Sequence, residues 1–313
     1  MSKKKISVII PCYLEEEVIK ISYDRITKVM KGITDYSYEL IFVNDGSTDN
    51  TYNILLNIAK DDNNVKIINF SRNFGHQAAV MAGLRNCTGD NAIIIDADMQ
   101  DPPEVIPDML KLWEEGNEIV YGKRKTREGE TYFKTFTAKA FYRVLKKLSD
   151  IDIPVDTGDF RLIDRKVVDS LCNLKEHNKY IRGLVVWIGF KQHAYEYDRH
   201  ERIAGETKYP FKKMLKLALD GIISFSTKPL KIIGGIGILA LFIAFIIAMY
   251  ALLSYVFNWN KLVPGWTSLM LTITVLSGIQ FVSIWIMSEY IARIYDEVRN
   301  RPEYIIKEKV NME

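Results

Sequence analysis

The amino-acid sequence predicts an α/β domain on a mostly parallel sheet, followed by an amphipathic helix and two membrane-spanning helices. Three observations carry that expectation. Short β-branched runs alternate with helix-length segments along the N-terminal third, the pattern of a sheet wound with helices on both faces. One apolar run, Ile93-Ile94-Ile95, breaks abruptly into Asp96-Ala97-Asp98-Met99-Gln100-Asp101-Pro102-Pro103. Near the C-terminus Ile232 to Asn260 and Leu262 to Ser288 carry no charged residue, with Lys261 alone between them.

In chain order, Lys5 to Pro11 reads as a strand and Glu15 to Lys31 as a helix. Tyr38 to Val43 is the next strand, followed by the turn Asn44-Asp45-Gly46-Ser47-Thr48-Asp49 and a helix to about Lys60, for which Ser47 or Thr48 suits the cap. Val65 to Phe70, a helix from Gly75 to Asn86, and Asn91 to Asp96 repeat the alternation, and Glu118 to Tyr121 adds a strand. Ligands of such sheets bind at the carboxyl ends of the strands. No G-x-G-x-x-G follows the first strand and no G-x-x-x-x-G-K-[ST] occurs, so the dinucleotide and P-loop readings lose support.

Asp96 and Asp98 stand two apart, so on a straight strand they point the same way, and Gln100 continues the row. Three oxygen ligands could thus meet one hard divalent cation. Mg²⁺ takes few carboxylates and shares its shell with substrate phosphates, which fits a metal–diphosphate site better than a closed calcium cage. A solvated acidic turn accounts for the same residues, since an isolated Asp-x-Asp is common by chance.

As helices, the two uncharged runs are each about 40 Å long, enough for a hydrocarbon core of about 30 Å. Lys212, Lys213, Lys216, Lys228 and Lys231 precede the first, and Arg293, Arg299, Arg301, Lys307 and Lys309 follow the second. The positive-inside rule therefore places both termini in the cytoplasm. The basic start Met1-Ser2-Lys3-Lys4-Lys5 leads into too short an apolar stretch for a signal peptide. Cys12, Cys87 and Cys172 form no metal spacing and fit reduced thiols. The net charge of +3 says little about nucleic acid, and none is an expected partner because the basic residues gather near the membrane segments rather than in an aromatic-studded stripe. Phe211, Met214, Leu215, Ala218, Ile222 and Phe225 share one helical face, as in a helix lying among lipid headgroups.

The succession Val8-Ile9-Ile10-Pro11 with Tyr13 and Glu15-Glu16, Val43-Asn44-Asp45-Gly46-Ser47-Thr48-Asp49, Ser71-Arg72-Asn73-Phe74-Gly75-His76 and Asp96-Ala97-Asp98-Met99-Gln100-Asp101-Pro102-Pro103 resembles the GT-A fold (Rossmann-like) glycosyltransferases of family 2. With two C-terminal spans, the chain looks like the polyprenyl-phosphate branch, that of dolichol-phosphate mannose synthase and the GtrB-type undecaprenyl-phosphate glucosyltransferases. The resemblance covers essentially the whole chain. A Q-x-x-R-W motif of processive synthases is absent; Arg182-Gly183-Leu184-Val185-Val186-Trp187 stands in its region, which argues for transfer of a single sugar.

The resemblance implies that Pro11, Tyr13 and Glu15 line the nucleotide cleft and that Asp45 accepts a hydrogen bond from the base, uracil or guanine. Arg72 would reach donor phosphate or base, whereas His76 reads as a packing or capping residue outside the catalytic set. Asp96, Asp98 and Gln100 would handle Mg²⁺ or Mn²⁺ and the diphosphate, with Asp96 also on the donor and Asp98 counted as catalytic. Asp159 aligns with the acid the family sets near the acceptor, as general base or as a positioning group. Arg124 and Lys134 would bind the acceptor phosphate, and Arg202 and Lys208 bracket a loop that would fold over the donor diphosphate.

The expected layout is a cytoplasmic GT-A domain over 1–209, an interface helix over 210–228, a two-helix transmembrane hairpin over 229–290 and a cytoplasmic tail over 291–313. The expected reaction is inverting, metal-dependent transfer of one hexose, glucose before N-acetylglucosamine, from a UDP-sugar to undecaprenyl phosphate on the cytoplasmic leaflet of the bacterial plasma membrane, serving surface polysaccharide decoration. Membrane lipid is an expected partner. Gly234, Gly235, Gly237 and Gly278 would permit a homo-oligomer. The competing classes are a non-catalytic nucleotide-sugar-binding membrane module and a small transporter subunit. The transporter reading is disfavoured because the spans hold no ionisable residue before Glu289 apart from Lys261.

Overall fold

The computed structural model describes residues 3–124, 157–176, 179–198 and 265–312, with scattered helical positions between 233 and 253. Lys134, Arg202 and Lys208, the expected interface helix and most of the first expected span lie outside the described residues.

Strands β1 (Lys5–Cys12), β2 (Ser37–Asn44), β3 (Val65–Phe70) and β4 (Asn91–Ile94) alternate with helices α1 (Ile19–Gly32), α2 (Thr51–Asp61) and α3 (His76–Asn86). All four strands are parallel, in the order β4-β1-β2-β3. A short 3-10 turn, Pro103–Val105, leads into α4 (Ile106–Glu114) and β5 (Ile119–Arg124). The chain then forms β6 (Thr157–Asp164), α5 (Arg165–Asn173), α6 (Ile181–Trp187) and β7 (Gln192–Tyr197). β6 is antiparallel to both β4 and β5, so the complete sheet is mixed. A 34-residue helix, α7 (Trp266–Arg299), is followed by β8 (Ile306–Val310), which pairs antiparallel with β3 and closes that edge. Part of the stretch read from sequence as a tail is thus the eighth strand of the sheet.

Alternation along β1 explains the layering. Ile6, Val8 and Ile10 pack with Ile26 and Met30 of α1, Leu55 of α2 and Trp113 of α4, while Ile9 faces the opposite layer with Val80 and Leu84 of α3 and Leu171 of α5. Each such aliphatic side chain contributes about 1.5–3 kcal/mol on burial, so the parallel strands form a rigid base for the loops at their ends. α3 lies close on β1 because position 83 is glycine: a Cβ there would stand 2.3 Å from Ile9 Cγ2.

An acid far from the carboxyl ends of the strands also lies in the interior. Glu39 on β2, its side chain 1% exposed, accepts hydrogen bonds from Ser7 Oγ (2.6 Å), Lys5 Nζ (2.7 Å) and the Thr88 amide (2.7 Å), and pairs with Lys66 Nζ at 2.7 Å. Burial opposes its charge, but Lys5, Lys66, Ser7 and Thr88 outweigh that and bring its pKa down to about 2.

In α7 the stretch Val275–Arg299 is long and apolar enough to cross a membrane, and none of it is buried within the protein. The helix ends at Asn300 in a left-handed conformation with Pro302 just beyond, a usual helix stop.

Candidate active site

Strand order reverses between β1 and β4, and the loops expected to carry chemistry converge at that crevice. Beyond Ile94 the chain continues through buried Ile95 to half-buried Asp96. Ile94 lies opposite Arg161 on antiparallel β6, so two residues further out Asp96 and Asp159 come to the same place. His76, the first residue of α3, stands between them: its Nε2 is 3.3 Å from Asp159 Oδ2 and 3.7 Å from Asp96 Oδ1. Gly75 makes this entry possible by adopting φ +102°, a conformation that side chains disfavour.

Arg182, at the start of α6, holds Asp159 in a bidentate grip, Nε to Oδ1 at 2.8 Å and Nη2 to Oδ2 at 2.9 Å. The amide of its neighbour Ile181 donates to Gln77 Oε1 at 3.0 Å, which ties α6 to α3. Buried Arg161 donates to the carbonyls of Gly158 (3.0 Å) and Asp159 (3.3 Å), fixing the backbone that presents the acid. Sequence reasoning left His76 and Arg182 outside the site. His76 closes the Ser71–His76 stretch but sits where a helix start explains it equally well, and Arg182 reaches Asp159 across 23 residues of sequence.

The charges differ sharply within this cluster. Burial pushes Asp159 up, yet Arg182 and His76 hold its carboxyl well below the usual range. Burial and the nearby Asp159, Asp101 and Asp98 carboxylates push Asp96 up to about 6 against the pull of His76. Burial disfavours the His76 cation, but Asp96 and Asp159 prevail and bring its pKa up to about 9. Both side chains retain an opening to the cleft, with 24% of His76 and 34% of Asp96 exposed.

The turn after Asp96 is sharply built. Met99 has φ +55°, the Gln100 amide donates to Asp98 Oδ1 at 3.2 Å, and buried Asp101 accepts a hydrogen bond from the Tyr197 hydroxyl of β7. Among the described residues no three His, Cys, Asp or Glu side chains are grouped to hold a metal. The donor set nevertheless fits a divalent cation that shares its shell with a ligand: two carboxylates and an amide at one strand end, with Asp96 Oδ1 buried and without a hydrogen-bond donor.

Pro11 is buried in β1, and half-buried Tyr13 and Glu15 follow on the loop beyond it. That loop is clasped by its neighbour: the Leu14 amide donates to Ser47 Oγ (3.0 Å) and the Glu15 amide to Thr51 Oγ1 (2.9 Å). Neither Ser47 nor Thr48 caps α2, contrary to the sequence expectation; Asn50 takes the cap position, and Asp49 Oδ1 accepts from the Thr51 amide. Asp45 is buried, and its two carboxylate oxygens accept the Phe74 and Gly75 amides at 2.7 and 2.9 Å. It therefore ties the β2 loop to the β3 loop. Burial raises its pKa, while those amides, His76 and Arg72 draw it back. The Arg72 guanidinium lies 4.1 Å from the Phe74 ring centroid and donates to the Asn73 carbonyl. Arg124 ends β5 opposite Tyr197.

The model of the family described as glycosyl transferase family 2 matches residues 7–172, which contain β2, β3, β4, most of β1 and both Asp96 and Asp159. The chain is 50% identical to the uncharacterized glycosyltransferase YkcC of Bacillus subtilis, over 98% of this chain and 94% of that protein. It is 42% identical to the prophage bactoprenol glucosyl transferase homolog of Escherichia coli, over 97% and 98%. With the bactoprenol glucosyl transferase of Shigella phage SfII it shares 40% identity over 97% of each chain. A solved mannosyltransferase from Pyrobaculum calidifontis, in complex with GDP-Man and Mn²⁺, covers 96% of this chain and 89% of its own at 15% identity and a TM-score of 0.49. A family model spanning more than half the chain and relatives alike from end to end leave one assignment: the chain belongs to glycosyl transferase family 2 and is a glycosyltransferase.

Proposed function

We propose that this glycosyltransferase moves a single hexose, glucose, from a UDP-sugar to undecaprenyl phosphate at the cytoplasmic face of the bacterial plasma membrane, with inversion at the anomeric carbon. The observation that carries the reading is the likeness to proteins named bactoprenol glucosyl transferases, which runs over 97% of the chain and so includes the membrane segment as well as the sheet. A catalytic domain alone would suit many acceptors. One fused to an apolar helix suits an acceptor that lives in lipid.

Strand β8 supports a two-span topology. It belongs to the same sheet as β1 to β7, so both lie on one side of a bilayer. A crossing by α7 then requires a second crossing before it, and the uncharged run Ile232 to Asn260 is there to make it. Basic residues flanking both runs orient the sheet and both termini to the cytoplasm.

Pro11, Tyr13, Glu15, Asp45 and Arg72 would form the nucleotide end of the cleft, and Arg124, with Lys134, would meet the lipid phosphate. Arg202 and Lys208 would close over the donor. Asp96, Asp98 and Gln100 would hold Mg²⁺ or Mn²⁺, which when bound supplies charge neutralisation for the diphosphate leaving group. Asp159 suits positioning better than proton abstraction. Gripped by Arg182 and His76, it is a weak base, and a phosphate monoester, with its second pKa near 6, is already largely a dianion at pH 7. Its carboxylate would instead orient the acceptor and balance charge developing at the sugar.

The test is transfer of radiolabelled sugar from UDP-glucose, and separately UDP-N-acetylglucosamine, into organic-extractable lipid by purified protein with undecaprenyl phosphate and Mg²⁺ or Mn²⁺. Metal-dependent label from UDP-glucose, lost in Asp98→Ala, is expected. Label from UDP-N-acetylglucosamine instead would correct the sugar. No lipid label from either, or from GDP-mannose, while nucleotide-sugar still binds, would replace the transferase reading with a binding module.

A further inference from the structure

The segment between α7 and β8 touches the base of the 71–75 loop on one side and α3 and the approach to α6 on the other. Tyr304 stacks on Phe70 with ring centroids 4.9 Å apart and planes 12° from parallel. Phe70 meets Phe74 edge-on at 5.7 Å, and Arg72 lies over the far side of this row on Phe74. The Ser71 amide donates to the Ile305 carbonyl at 3.0 Å. The loop supported in this way, 71–75, gives the Phe74 and Gly75 amides to Asp45 and then delivers His76 between the two acids.

Next to Tyr304, Glu303 makes the second connection. It pairs with Arg85 near the end of α3 at 3.0 Å and with Lys179 at 3.2 Å. The Lys179 side chain is 2% exposed, and Glu303 is the acid that offsets its charge. Three residues further on, Arg182 grips Asp159. Only residues 300–302 separate α7 from this docked segment. A displacement of the helix end is therefore passed to the loop and to the start of α6 with little slack.

We propose that residues 303–306 are a positioning element of the transfer reaction, with Tyr304 setting the 71–75 loop for the donor and Glu303 steadying the approach to Arg182, so that the cleft takes its working geometry from the membrane helix. The kinetic part rests on the reaction proposed above; the structural part does not. Tyr304 touches no reacting atom in this scheme. It acts through Phe70 and Phe74.

The experiment uses full-length protein in lipid nanodiscs and compares Tyr304→Leu, which keeps apolar bulk but loses the ring stack, with Tyr304→Phe, which keeps the ring. Glu308→Gln serves as a control at the other end of the contact, where Tyr52 donates to Glu308 at 2.6 Å. Amide hydrogen exchange is followed over peptides covering 71–76, alongside KM for UDP-glucose and kcat. Tyr304→Leu is expected to speed exchange in 71–76 and raise the donor KM, each by about tenfold, with a smaller change in kcat. Tyr304→Phe restores both, and Glu308→Gln leaves both at the wild-type level.

Unchanged exchange over 71–76 in Tyr304→Leu overturns the proposal, as do losses of equal size in Tyr304→Leu and Glu308→Gln. Should Tyr304→Leu not fold, accelerated exchange of the Tyr304→Phe protein with wild-type KM would overturn it. Should the wild-type protein transfer no sugar, the reaction assigned above fails, while the exchange comparison still decides whether the segment holds the loop.

Discussion

Replacing Arg182 by lysine tests the centre of the site most directly. The guanidinium makes two charge-assisted hydrogen bonds to Asp159, at 2.8 and 2.9 Å, in a geometry that fixes both carboxylate oxygens. Lysine keeps the positive charge but offers a single point donor rather than a planar fork. The variant loses roughly one charge-assisted bond, about 1.5–2 kcal/mol, and if that loss falls on the transition state the rate drops by about tenfold to thirtyfold. Arg182→Met removes both bonds from a carboxylate whose side chain is 10% exposed, a cost of about 3–5 kcal/mol. Initial rates of sugar transfer in nanodiscs, measured across donor concentrations and paired with thermal melts, separate the two effects. The lysine variant should melt close to wild type and lose kcat; the methionine variant should lose both. Full kcat in Arg182→Lys would refute the view that the fork orients Asp159 for the reaction.

Three further outcomes are expected. Glu39, with a folded-state pKa of about 2 against an ordinary 4.5, contributes about 3 kcal/mol of stability above pH ~4.5. Because its folded pKa is depressed, that contribution fades as pH falls from 4.5 toward 2; melts over this range should show the loss in wild type and its absence in Glu39→Gln, which is less stable at neutral pH. Gly46 has φ +65°, and a Cβ there would stand 2.3 Å from the Arg72 carbonyl carbon. Gly46→Ala should therefore shift the 71–75 loop at a cost of about 2 kcal/mol or more, weakening UDP binding by at least about tenfold in calorimetry. Stripping divalent metal with EDTA should abolish transfer and readdition of Mg²⁺ or Mn²⁺ restore it, while Asp96→Asn should reduce metal-supported transfer by on the order of a hundredfold or more.

Much of this architecture could be read in the chain because local patterns decided it. The alternation from Lys5 to Ile94 has one periodicity per element, and the change from Ile95 to Asp96 marks a strand end without tertiary information. Asp159 is legible only through the family resemblance, and the antiparallel register of β6 explains why it lies beside Asp96. His76 and Arg182 were not legible as site residues, because their importance lies in convergence on one carboxylate from separate helices. Glu39 is illegible as a buried acid for a similar reason: its partners Lys5, Lys66 and Thr88 come from three other segments. β8 reads Ile306-Lys307-Glu308-Lys309-Val310, a polar edge sequence that also suits a solvated tail. For Asp45 the resemblance implies a base contact, and the fold gives its oxygens the Phe74 and Gly75 amides.

The closing strand also sets an order of events in biosynthesis. Tyr52 on α2 and Glu308 on β8, which meet beside the β3 edge, are 256 residues apart. At about 5–20 residues per second, the ribosome needs on the order of ten to fifty seconds to pass from one to the other. Throughout that interval the β3 edge, Val65-Lys66-Ile67-Ile68-Asn69-Phe70, has no strand to cover it, and an uncovered apolar edge invites pairing with other nascent chains. The strand that ends this exposure is made only after the hydrophobic helix has been synthesised. Synthesis of the apolar helix and maturation of the sheet are thus consecutive steps of one assembly line, and chains truncated before Ile306 should accumulate as aggregates rather than as soluble catalytic domains.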